Sequence, residues 1–292
     1  MEFLSYLISG VSLGSVYAII ALGYTMVYGI AKMLNFAHGD VIMVGGYISL
    51  LAMSSLGLPW WVGVLLAMVV CTVLGVIIEG LAYKPLRAAP SLAVLITAIG
   101  VSYFLQNAAQ LIWGASPMSY TPIVSGSLQL FGEQLSISYV SLLTIVVCAV
   151  IMVGLTLFTS KSKMGKAMRA CSEDKGAAQL MGINVNRTIS LTFAIGSALA
   201  AVAGVLLCSF NTSRMPTTGS MPGIKAFTAA VFGGIGSIPG AFLGGILLGI
   251  IEALAKAYIS TQLANSIVFA VLIIMLLVRP AGLLGRYVPE KV

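Results

Sequence analysis

Residues 59 to 82 read PWWVGVLLAMVVCTVLGVIIEGLA, and Glu79 is the one charged side chain among them. A run of that length cannot hide inside a small soluble domain, and it needs no hiding in lipid. A helical crossing takes about 20 mostly apolar residues, because the bilayer leaves each backbone polar group to be satisfied within its own segment. Further apolar runs lie at about 6 to 30, 37 to 56, 91 to 113, 136 to 159, 188 to 211, 224 to 237, 239 to 259 and 263 to 279. Of the 292 residues, 59% are hydrophobic and 8% charged, against roughly a quarter charged in a soluble domain. The expected fold is an all-α integral membrane protein: a polytopic bundle of eight or nine transmembrane segments, forming a single domain over 1–292. The run 224 to 237 decides between eight and nine, since about 14 helical residues cover only about 21 Å.

Charge sets the expected orientation. The formal charge of +7 is not spread along a nucleic-acid-binding face. Lys84 and Arg87 share one connection, and Lys161, Lys163, Lys166, Arg169, Lys175 and Arg187 crowd another. The positive-inside rule puts both in the cytoplasm. Counting outward places the N-terminus and the 114–135 connection in the periplasm of an inner-membrane protein. Nine crossings bring the tail, with Arg279, Arg286 and Lys291, to the cytoplasm. Met1-Glu2-Phe3 carries no basic leader and no small-residue cleavage site follows, so the first span is expected to be retained. Cys71, Cys148, Cys171 and Cys208 stand far apart and read as small apolar packing residues. In the periplasmic connection, Ser127 to Phe131 and Gln134 to Ser138 alternate around Gly132-Glu133, which is either a hairpin or an irregular loop.

The longest polar stretch, Lys161 to Asn184, is helix-prone. Met164, Ala167, Met168 and Cys171 recur at three- and four-residue spacing and give it an apolar face. Ser172 with Glu173 and Asp174 can cap a second short helix, Asp174 to Met181, that ends at Gly182. Lysines held to anionic headgroups would account for a simple interfacial loop. An ordered amphipathic insertion of this size between crossings favours docking to a cytoplasmic protein.

Two segments interrupt the spans. Tyr24 to Asp40 places Asn35, the lone His38 and Asp40 where the first crossing yields to the second. Ionisable groups at membrane depth mark function, but the topology sets this stretch near the cytoplasmic interface. Capping or hinge work is therefore favoured there over substrate contact. Met221 to Gly245 is broken by Gly233, Gly234, Gly236, Pro239, Gly240 and Gly244. Gly/Pro-interrupted helices line transport pathways, while Gly240 and Gly244 also have the spacing of close helix packing. Pairing of Glu252 with Lys256, and of Glu79 with Lys84, would neutralise those charges.

Enzymatic chemistry finds no foothold. One histidine excludes H-E-x-x-H and any two-histidine metal site, G-x-S-x-G is absent, and the glycine run lacks a phosphate-binding G-x-x-x-x-G-K-[ST]. No catalytic residue and no metal ligand is assigned. Proton or sodium coupling would call for acids deep in the spans, and Asp40, Glu79 and Glu252 each read as near a helix end or paired. The composition suits a pore that draws its energy from elsewhere.

The ordered set Gly10 to Gly29, Asn35-Phe-Ala-His-Gly39, Tyr83-Lys-Pro-Leu-Arg87, Met164 to Ala170, Leu180 to Asn184 and Lys225 to Ala241 resembles the permease subunit of bacterial high-affinity branched-chain amino-acid ABC importers. The resemblance runs nearly end to end. It implies a type II importer fold, a second related permease, two cytoplasmic ATPases that hold ATP and magnesium, a periplasmic substrate-binding protein, and no cofactor on this chain. It also makes 161–187 the coupling segment, with Met164, Gly165, Arg169, Glu173, Asp174 and Gly182 facing the ATPase. Tyr24, Asn35, His38, Asp40, Phe227, Gly233, Gly234 and Gly236 are the candidate pathway or hinge residues. Relatives of that family also serve urea and short amides, so the cargo stays open among small solutes.

Overall fold

The computed structural model describes residues 2–87, 89–130, 135–211 and 213–285. The helical bundle expected from the apolar runs is what forms. Among the described residues, six helices are long and apolar enough to cross a membrane: α1 (Glu2–Ala31), α3 (Trp60–Ile78, extended by a π turn and a 3-10 turn to Leu86), α4 (Ser91–Trp113), α5 (Tyr139–Lys161), α8 (Val185–Phe210) and α10 (Ile238–Tyr258). Three shorter apolar helices complete the set: α2 (His38–Leu50, continued by a π turn to Ser55), α9 (Ser220–Gly233) and α11 (Ala264–Val278). The polar insertion forms α6 (Lys163–Glu173) and α7 (Lys175–Leu180).

From Gly10 onward α1 is almost wholly buried and forms the axis of the bundle, against α10, α8 and α9. In lipid the hydrophobic effect does not drive helices together, so backbone proximity and dispersion must. Glycine provides the proximity. A Cβ added to Gly249 would fall 2.2 Å from Gly14 Cα, and one on Gly245 would fall 2.4 Å from Ala18 Cα. Antiparallel α1 and α10 therefore touch backbone to backbone. Leu81, Phe104 and Leu111 on the outer helices stay exposed, as a lipid-facing surface requires.

Two helices begin inside the bundle rather than at its ends. After α1, residues 32–37 fold back, with Lys32 at φ 58. His38, the first residue of α2, then sits against Gly23, whose added Cβ would meet its Nε2 at 2.5 Å. Gly23 is eight residues from the end of α1, about 12 Å along the axis. The segment after α8 returns inward in the same way, and α9 begins where Gly219 meets Gly39. The N-termini of α2 and α9 thus face each other within the protein. From there α9 runs toward the end of α1, where Phe227 reaches Phe36, and α2 runs the opposite way. The 224–237 run accordingly forms a half-length helix shifted to Ser220–Gly233, ended by Gly234 at φ 107.

At the end of the bundle away from α6 and α7, β1 (Met118–Ser119) pairs antiparallel with β4 (Ser213–Arg214). There too β2 (Ser127–Leu130) pairs with β3 (Leu135–Ser138), setting Ser127 opposite Ser138. The Gly132-Glu133 turn lies outside the described residues, as do Arg286 and Lys291 of the tail.

Candidate functional site

The half-helix junction gathers several of the pathway candidates. The Tyr24 ring lies 4.7 Å from His38 and 5.8 Å from Phe227. Tyr24, Asn35 and Phe227 line one narrow crevice with Tyr28, Met33 and Ala230. Gly233 and Gly234 are elsewhere: a Cβ on the first would strike Gly240 O at 1.9 Å, and one on the second would strike Gly285 N at 2.4 Å. They serve close packing, as does Gly244 against Ala229. Gly236, at φ 96, faces Gly29.

The interfacial placement of His38 and Asp40 is corrected by this geometry. Both are buried and lie well inside the bundle, because the 32–37 loop folds back instead of marking the surface. Capping fails as well. The N-cap of α2 is Ala37, with no side-chain bond. Asn35 Oδ1 instead accepts from the Tyr83 hydroxyl at 2.9 Å, and Asp40 Oδ1 accepts from Gln106 Nε2 at 2.9 Å. Gln106 also donates to Ser220 Oγ at 3.2 Å. One amide from α4 thereby ties together the starts of both half-helices. His38 Nε2 has no hydrogen-bond partner among the described residues.

Two buried charge clusters flank the junction. Glu252 on α10 accepts from Lys225 at 2.7 Å, from Lys256 at 2.6 Å and from the Tyr17 hydroxyl at 2.9 Å. The pairing with Lys256 expected from spacing is present, and Lys225 on α9 is a second cation that spacing could not supply. Glu79 pairs with Arg87 rather than Lys84, and accepts from Ser190 Oγ at 2.7 Å. The π and 3-10 turns that end α3 carry Arg87 back over the carboxylate.

The polar insertion is two helices, each with a side-chain cap. Ser162 Oγ accepts from Gly165 N at 2.8 Å to start α6. Asp174 accepts from Gly176 N and Ala177 N to start α7, whereas Ser172 belongs to α6. Gly182 follows at φ 80. Met168 and Cys171 are buried with Met26 and Ile30 of α1, so the apolar face of α6 sits on the last turns of the axial helix. Met164 packs at the edge of that cluster, Arg169 donates to Ser160 O at 3.0 Å, and Glu173 is exposed. Lys175 Nζ donates to Ala31 O at 2.8 Å, a bond to the end of α1 that sequence did not suggest. Its partial burial, with Arg87 and Lys32 nearby, holds its ammonium below the usual lysine range. Beyond the pair, Leu180 and Met181 are 90% and 82% exposed.

Facing half-helices inside a many-span bundle, with an amphipathic helix pair pinned to the axial helix, define a multi-span membrane permease. The chain belongs to the family described as "Branched-chain amino acid transport system / permease component", whose model matches residues 6–277. It is 47% identical to the high-affinity branched-chain amino acid transport system permease protein LivH of Escherichia coli K12, over 100% of this chain and 98% of that one. It is equally similar, at 47% and the same coverage, to the permease BraD of Pseudomonas aeruginosa. At 26% identity, over 91% of this chain and 80% of the other, it resembles the autoinducer 2 import system permease LsrD of Salmonella paratyphi B.

Proposed function

We propose that this chain is the permease subunit of an ATP-driven importer that carries branched-chain amino acids inward across the bacterial inner membrane. The single observation that carries the cargo is full-length identity near one half to relatives named for that transport. In this reading α6 and α7 form the coupling surface. Leu180 and Met181 project from a helix pair whose other face is already buried on α1. Large apolar side chains on an otherwise polar surface are what a protein partner covers. The partners are two ATPases that bind ATP and magnesium, a second related permease and a periplasmic binding protein. Motion of the ATPases would reach the junction through the α6 contact with Met26 and Ile30 and the Lys175 bond to Ala31.

Reconstitution with the ATPases, the second permease and the binding protein tests the assembly and the cargo together. Binding protein loaded with leucine, isoleucine or valine is expected to raise ATP hydrolysis and solute uptake. Failure of the chain to co-purify with an ATPase would sink the importer reading, as would uptake by the chain alone under an ion gradient without ATP. Stimulation by urea, a short amide or autoinducer 2 instead would move the cargo and keep the assembly.

A further inference from the structure

Arg214 stands where β4, the middle of α2 and the end of α8 meet. It is 1% exposed, yet none of its three guanidinium nitrogens has a hydrogen-bond partner among the described residues. The guanidinium carbon lies 4.6 Å from the centre of the Tyr120 ring and 5.8 Å from that of Tyr47. Tyr47 in turn stacks on Trp113, with ring centres 4.7 Å apart and planes 9° from parallel. Its hydroxyl is also buried without a partner among the described residues. Gly46 makes room for the group, since a Cβ there would fall 1.5 Å from a guanidinium nitrogen.

An arginine keeps its proton even when buried. This one is therefore a cation whose lost hydration two aromatic faces return only in part. A planar fork with its donors unspent matches a carboxylate through two parallel bonds. We propose that Arg214 receives the α-carboxylate of the transported amino acid at the end of the bundle away from α6 and α7, before the solute reaches the half-helix junction. The inference rests on the amino-acid cargo of the proposed function.

Position on α2 supports it. Asp40 lies six residues back from Gly46, about 9 Å along the helix, so the Arg214 cation seated against Gly46 and the Asp40 carboxylate follow one another along α2 on the inward path. Enclosure argues for a small solute over a docking protein. A partner resting on this end would touch the exposed neighbours Ser213 and Met215, not nitrogens sealed behind two tyrosines.

The test is made on the complete importer in proteoliposomes, with leucine-loaded binding protein, in wild type, R214M and R214K. Replacing an unpaired buried cation by a methionine should leave the unfolding temperature of the complex unchanged or raised. Leucine delivered per ATP hydrolysed should nonetheless fall about tenfold or more, the scale of a lost charge-assisted pair. Stimulation of ATP hydrolysis by the binding protein should persist, and R214K should recover part of the delivery. Unchanged delivery in R214M overturns the proposal. So does loss of binding-protein affinity and ATPase stimulation in step with transport, which would make Arg214 a docking residue. A parallel fall in unfolding temperature in both variants would make it structural and overturn the proposal equally. A wild-type complex that moves no leucine removes the cargo reading, and this inference with it.

Discussion

Glu252 shows how a charge survives in an apolar bundle, and which partner matters. Its carboxylate is fully buried and accepts from two lysines and a tyrosine. Lys225 is buried beside it, while the Lys256 side chain is 41% exposed. Removing the carboxylate leaves Lys225 as an uncompensated interior charge, a loss of about 3 to 5 kcal/mol. The variant E252A is therefore expected to lower the yield and unfolding temperature of the purified protein sharply. K256A should cost under about 1 kcal/mol, because water and headgroups solvate the freed position. Equal losses in the two variants would count against an interior pair with Lys225. The local half of this cluster was legible, since Glu252 and Lys256 are one helical turn apart. The other half was legible only as a question: a lysine in an apolar helix asks for a counter-ion without saying where it is. Asp40 and Glu79 misled for the same reason. Their partners, Gln106 and Arg87, depend on a fold-back and on two tight turns that no periodicity reports.

At the scale of elements, the amphipathic pair α6 and α7 was the readable part and the half-helices were not. A polar segment with one apolar face stands out in a chain this hydrophobic, and cap residues marked its internal break to within a residue. Residues 32–37, by contrast, look like an ordinary surface connection. Only tertiary contact between His38 and Gly23 shows that the chain turns back inside. A Cβ on Gly165 would lie 2.3 Å from Phe158 O, so G165A must push α6 off the last turn of α5. Reconstituted importer carrying G165A should hydrolyse ATP at its basal rate with transport and stimulation both reduced, and normal transport would remove α6 from the coupling path. At the axial interface, G249A is expected to cost about 1 to 3 kcal/mol by overpacking α10 against Gly14. G154A on α5 faces open space and should leave the unfolding temperature unchanged or slightly higher through better helix propensity.

At the scale of the whole molecule, charge and connectivity together predict an orientation that can be measured. Lys32, Lys84, Arg87, Lys161, Lys163, Lys166, Arg169, Lys175 and Arg187 all belong to the end that carries α6 and α7. Of the opposite connections, 51–59, 114–138 and 259–263 contain no lysine or arginine, and 211–219 carries Arg214 alone, buried in the bundle. Residues 281–285 return to the basic end, where Leu283 N and Leu284 N donate to Phe232 O and Gly233 O at 3.0 and 2.9 Å. The start of α1 lies at the other end. Positive residues stay on the cytoplasmic side, so the hairpin end should face the periplasm. Native Cys71, Cys148, Cys171 and Cys208 are all buried, which leaves a low background for thiol labelling. A membrane-impermeant maleimide should therefore label S116C from the periplasmic side of intact inner membrane. E173C should react only once that membrane is breached. The reverse pattern would place α6 and α7 outside, where no ATP-hydrolysing partner could reach them. Orientation is thus the condition on which the coupling surface and an inward carboxylate path through Arg214 both depend.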